Sequence, residues 1–193
     1  MIDPVMRREI ESIVQDTIAK LMPQNQIIDI EEGHSHWRQF GHFILPLKTT
    51  ETFAATTTLT NIDDFKWDIR KREAFTFMGM ILAGGPTAGD IDLAVTVPSG
   101  AALTFWGFGP ELAISASEAA GRWRATATSG NRLDFGVFNG SALLPILIGG
   151  RVANGDTGGE ANLQRSQRVS DAGTTRILAG SYLWVHREES LNL

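Results

Sequence analysis

Two hydrophobic periods run along this chain, one helical and one extended. Between residues 4 and 22 the apolar side chains Met6, Ile10, Ile13, Val14, Ile18 and Leu21 recur at spacings of three and four, which gathers them on one stripe of a helix. Asp3 supplies an N-cap, Pro4 occupies the first helical position where a missing N–H costs nothing, and Pro23 closes the pattern. Arg8, Glu9, Glu11, Gln15 and Asp16 cover much of the remaining surface. A helix of about five turns is marginal alone in water, so the stripe needs a cover. That cover is either the chain's own domain, or copies of the same helix in a short bundle, or a socket in a larger assembly.

From about residue 40 the period falls to two. Ile91, Leu93, Val95 and Val97 alternate with Asp92, Ala94 and Thr96, which predicts a half-buried strand ended by Pro98-Ser99-Gly100. Thr52–Thr60 reads as extended, and Phe65, Trp67 and Ile69 share a face. Trp123, Ala125 and Ala127 share another, as do Leu133, Phe135 and Val137; near the C-terminus Tyr182, Trp184 and His186 alternate with Leu183 and Val185. Turn chemistry separates these runs at Asn61-Ile62-Asp63-Asp64, Gly84-Gly85-Pro86, Ser129-Gly130-Asn131, Asn139-Gly140, residues 154–159 and Asp171-Ala172-Gly173. About ten short strands with no helical pattern between them predict a mainly β fold, an antiparallel, jelly-roll-like β-sandwich preceded by an N-terminal α-helix. The expected layout is a helix for oligomerisation or attachment in residues 1–24, a linker and first strand in 25–48, and the sandwich in 49–193.

Two predicted strands, Phe75–Leu82 and Ala142–Ile148, are apolar on both faces. An antiparallel strand normally keeps one wet face, so both faces must be covered. The opposing sheet is one cover; the other is a second subunit or a loop such as Gly109–Gly121. Pro145 cannot donate to a ladder, which predicts an edge strand or a bulge.

Composition narrows the functional classes. The 193 residues suffice for one well-cored domain. The longest apolar stretch, Leu143–Ile148, is far short of a membrane span, and Arg7, Arg8, Glu9 and Glu11 interrupt any signal-peptide core, so the expectation is cytoplasmic synthesis without membrane insertion. The absence of cysteine rules out disulfides, thiolate metal sites and a cysteine nucleophile. A net charge of -5 argues against nucleic acid as a partner.

The chain carries no phosphate loop, dinucleotide fingerprint, nucleophile elbow or His-Glu-x-x-His. Asp63/Asp64 reads as a turn pair and Asp90/Asp92 as solvated display on one strand face, Glu188/Glu189 is a pair of a kind common by chance in a chain with 22 acids, and the loop around Asp156 matches no EF-hand spacing. His34 and His36 face the same way if their segment is extended, and three chains around an axis would offer six imidazoles to a transition metal. Without such an axis they are ordinary linker histidines. Trp106 and Phe108 are either core residues or a stacking platform for a sugar.

The runs Thr56-Thr57-Thr58-Leu59, Asp63-Asp64-Phe65, Arg72-Glu73-Ala74-Phe75-Thr76-Phe77, Gly89–Val95 and Val97–Ala101, with Ile148–Val152 and Leu178–Leu183, resemble a β-domain of structural proteins in tailed-bacteriophage virions, of the minor tail, fibre or head-fibre type. The resemblance covers residues 50–187 and contains no catalytic signature. It implies a virion component assembled in the host cytoplasm, homotrimeric, partnered by other phage virion proteins and displayed on the particle. A His-x-His like that of His34 and His36 also occurs in trimeric phage fibres and spikes, which is how the resemblance bears on a metal at a trimer axis. The expected function is a tail-associated fibre or receptor-binding module that meets a host-surface glycan. Its alternatives are a head fibre or capsid decoration protein with a mechanical role, and a small polysaccharide-acting enzyme, which would need two positioned carboxylates in a groove.

Overall fold

The computed structural model describes residues 42–112, 121–138 and 144–188. The helix expected over residues 4–22, with Met6, Ile10, Ile13, Val14, Ile18 and Leu21, lies outside the described residues, as do His34 and His36. The described chain forms β1 (His42–Pro46), β2 (Glu51–Phe53), β3 (Thr60–Ile69), β4 (Ala74–Gly84), β5 (Ile91–Thr96) and β6 (Ala102–Pro110). It continues through β7 (Gly121–Thr126), β8 (Arg132–Phe135), β9 (Leu144–Ala153), β10 (Gly159–Ser166), β11 (Thr175–Ile177) and β12 (Tyr182–Arg187).

These strands form two antiparallel sheets. The larger runs β1-β12-β4-β9-β6-β7, with β11 beside β12 along the same edge of β4 and β2 outside β11; the smaller runs β3-β10-β5-β8. The pairings are nested: β2 with β11, β3 with β10, β4 with β9 and β5 with β8. That nesting is the wiring of a jelly roll, in which one long antiparallel ribbon folds over into two sheets. The hairpin β6–β7 is inserted between β5 and β8 and widens the larger sheet beyond β9.

The core follows from the period of two. Phe75, Phe77, Ile81 and Ala83 of β4, Leu103 and Phe105 of β6, and Ile146, Ile148 and Val152 of β9 face inward from the larger sheet. Ile62, Phe65, Trp67 and Ile69 of β3 meet them from the smaller sheet, with Ile91, Leu93 and Val95 of β5 and Leu133 and Phe135 of β8. Trp67 packs on Phe77 at 5.5 Å between ring centroids, and Phe77 on Phe105 at 6.1 Å. Full burial of each such side chain contributes about 1.5–3 kcal/mol, so the inward rows supply the main favourable term that offsets the entropy of ordering the sandwich. Inward-facing Arg124 of β7 closes one open side: its Nε donates to the Asp134 carbonyl of β8 and reaches that residue's carboxylate at 2.7 Å.

Four expectations change. Asn61-Ile62-Asp63-Asp64 is a bulge inside β3, because between the Asn162↔Lys66 and Gln164↔Asn61 pairs β10 advances two residues and β3 five. Its turn-like composition serves that irregularity, and the Asp64 carboxylate accepts the Lys48 backbone N–H at 2.9 Å. Thr52–Thr60 is not one strand: β2 ends at Phe53, and Ala55 takes φ +50°. β5 is buried on both faces, because it is an interior strand and side chains cover its outer surface. Finally, β9 is an interior strand despite Pro145, which stands near its start, two residues before the last β6 pair, Phe108↔Leu147.

Candidate functional site

Because Phe75, Phe77 and Ile81 point into the core, their neighbours Thr76, Met78, Met80 and Leu82 point outward from the larger sheet. Register then aligns apolar residues across five strands. One row reads Tyr182, Met80, Leu147, Phe108 and Trp123, from β12 through β4, β9 and β6 to β7. The next reads Trp184, Met78, Gly149, Trp106 and Ala125. Met78 is 50% exposed and Trp123 66%, while Tyr182 and Leu147 are also exposed in part. Ile44 of β1 extends the face at its far side.

The aromatic end is built by glycines. A Cβ at Gly149 would overlap the six-membered ring of Trp106, and one at Gly121 would overlap Phe108, so each glycine lets an aromatic ring lie flat on the sheet. Trp123 packs over both at centroid distances of 5.4 Å to Trp106 and 5.1 Å to Phe108, tilted by 50° and 45°. The rings therefore form a ridge rather than a flat platform.

The third row is polar: His186, Thr76, Arg151 and Thr104. Arg151 Nε and Nη2 donate to the two oxygens of Glu188 at 2.7 Å each, and Thr76 Oγ1 donates to the same carboxylate at 2.9 Å. These bonds, led by those from Arg151, hold the Glu188 carboxyl below its ordinary range. The rings of Trp184 and His186 stack at 5.7 Å. One face thus carries an apolar strip bordered by an internally neutralised ion pair.

A second polar cluster covers the outside of the smaller sheet. Asp92 and Asp134 stand directly opposite across β5 and β8, an unfavourable like-charge pairing offset by arginine. Arg132 reaches Asp92 at 3.0 Å, and Arg168 and Arg124 reach Asp134 at 3.3 and 2.7 Å. Asp90 accepts the Val137 N–H at 3.4 Å. Burial raises the carboxyl pKa of both Asp90 and Asp92, against the opposing pull of that N–H on Asp90 and of Arg132 on Asp92. The expectation of solvated display for Asp90 and Asp92 is therefore corrected: both are buried, because loop and arginine side chains cover them.

Trp106 and Phe108, singled out as candidate ligand contacts, are brought together on the outer face, half-buried beneath Trp123. Asp63 and Asp64 stay in the β3 bulge, and Asp156 is exposed and held by Arg72 at 2.8 Å. Sequence reasoning missed the Arg151–Glu188 border and the Asp134 cluster, which depend on register between distant strands. It also passed over Trp123, Met78 and Leu147 as members of one surface, although the two-sided apolar character of Phe75–Leu82 was the signal for it. Among the described residues no group of three or more His, Asp or Glu is arranged to hold a metal ion, and no helix is long and apolar enough to cross a membrane.

No protein-family model matches the chain, and no curated protein matches it. Among solved structures it is similar to a chain of the infectious bursal disease virus VP2 subviral particle, with a TM-score of 0.19 and 11% identity over 76% of this chain and 36% of that one. A structure of the Gx strain of the same virus gives a TM-score of 0.19 and 11% identity over 77% and 37%. The chain thus spans little more than a third of the length of those viral chains, and at these TM-scores the likeness carries no argument about its fold or role.

Proposed function

We propose that this chain is a non-enzymatic structural protein of a bacteriophage virion, a homotrimeric tail-associated fibre or receptor-binding module held to the particle through residues 1–24. The observation that carries this reading is the apolar strip on the outer face of the larger sheet. A solitary sandwich exposes a polar outer face there, whereas a subunit of an assembly buries an apolar one. The resemblance of residues 50–187 to phage virion β-domains supports the same reading. Imaging of particles that carry a tagged copy of the chain tests it: density on the tail is expected, together with weakened adsorption when Trp123 is replaced by alanine.

A head fibre or capsid decoration protein is the second reading, and one observation favours it. Apart from the Tyr182 hydroxyl and the indole N–H groups, the two apolar rows offer no side-chain hydrogen bonds for selecting a sugar, so their chemistry suits packing. Tag density confined to the capsid, with normal adsorption by particles that lack the chain, would select this alternative.

A further inference from the structure

We infer that the apolar strip of the larger sheet is covered by the same strip of a neighbouring copy of this chain. The inference deepens the virion reading, since it names the partner of the face on which that reading rests.

Size is the first argument. Strands lie about 4.8 Å apart, so the row from Tyr182 to Trp123 runs about 19 Å across five strands. Two such rows suit the apolar centre of an interface that buries about 800 Å² per partner, with the remainder in a polar rim. Thr76, Thr104 and the Arg151–Glu188 pair stand where that rim belongs.

Charge identifies the occupant. The chain carries a net charge of -5, so two copies repel wherever charged surfaces meet. Neither apolar row contains a residue charged at neutral pH, and the bordering Arg151 is cancelled by Glu188. This face is consequently one on which a second copy can approach without repulsion, and a neutral apolar surface is complementary to itself. It offers nothing to an anionic polymer. The methionines Met78 and Met80 add side chains that adjust to whatever packs on them.

Geometry supplies the test. Leu147 lies on β9, the middle strand of the five, so in a closed symmetric oligomer packed through this face the Leu147 side chains of neighbouring copies lie near the symmetry axis. The chain has no cysteine, so a single introduced thiol reports one position. Leu147→Cys in the full-length protein is compared with Lys66→Cys, an exposed position on the smaller sheet. Leu147→Cys is expected to react with a maleimide at least tenfold more slowly than Lys66→Cys. The two rates should become equal in denaturant, and a bis-maleimide should link Leu147→Cys into covalent multimers. Adding Met78→Lys, at a half-exposed position that the core does not use, should abolish both effects while circular dichroism stays unchanged. Equal native rates overturn the inference, and so does protection without inter-chain linkage, which would mean that something other than a copy covers the face. If linkage occurs but the chain is absent from particles, the virion reading fails and the pairing stands. If the chain is found on particles and the thiol is open, the reverse holds.

Discussion

Gly107 and Gly109 of β6 face inward beneath Phe135, whose ring would lie 2.6 Å from a Cβ at Gly107 and 2.7 Å from one at Gly109. Phe135 is fully buried and cannot retreat, since it belongs to the interior of the opposing sheet. Gly107→Ala is therefore expected to cost about 1–3 kcal/mol, as an added methyl does in a filled core, measured as a lower denaturant midpoint with an unchanged slope. Asp90 makes a different prediction. It sits at φ +46° with its carboxyl buried, so its ionised form is held at a cost. Because the folded-state pKa is raised, the favourable contribution is complete below the ordinary value of 3.8 and is lost as pH rises through the folded value. Asp90→Asn keeps an acceptor for Val137 and tolerates the left-handed backbone. It should raise the thermal midpoint at pH 7 and leave it nearly unchanged at pH 3. Glu188, whose pKa is lowered, runs the other way: its contribution is present above the ordinary 4.5 and is lost on acidification.

Between elements, one buried amide organises the end of the sandwich where β10 leaves its sheet. The Gln167 side chain accepts the N–H of Thr56 at 3.4 Å and of Asp171 at 3.1 Å, and donates to the Gly173 carbonyl at 2.9 Å and to Thr175 Oγ1 at 3.1 Å. It thereby ties the β2–β3 connection to the β10–β11 connection. Gln167→Ala is expected to cost about 2 kcal/mol, because one buried and three part-buried groups lose their partners together, with hydrogen exchange rising first at residues 167–175. Nothing in the local sequence marks this role, since the bonded groups are up to 111 residues apart. The facing rows of β3, β5 and β8 were legible, because a period of two needs only near neighbours, whereas in β12 the alternation left open whether Leu183 and Val185 or Tyr182, Trp184 and His186 point inward. The faces of β4 and β9 were legible as apolar, but which surface covers them was not. The two apolar rows exist only once registers across five strands are known. Asp90 and Asp92 were misplaced for the same reason: the Val137 N–H that meets Asp90 and the Arg132 guanidinium that meets Asp92 lie on distant segments.

In the whole molecule, the inferred pairing of copies has a spectroscopic consequence. Trp123 is the most exposed of the described large apolar residues, so pairing of copies through this face moves its indole out of water. Dilution through the dissociation range should shift tryptophan emission to longer wavelength, and Trp123→Phe should remove most of that shift. The transition should also move to lower concentration as salt rises only weakly, since no charged pair crosses the strip.

The insertion of β6–β7 between β5 and β8 separates two kinds of information in one chain. The eight nested strands specify the wiring, while residues 102–126 contribute Trp106, Phe108 and Trp123 to the outer wall. A single contiguous exchange of that hairpin would therefore alter the outer wall and leave the scaffold intact, provided that the inward Leu103, Phe105 and Arg124 and the small residues under Phe135 are kept. The jelly-roll wiring and the character of the outer wall are thus carried by separate stretches of one chain.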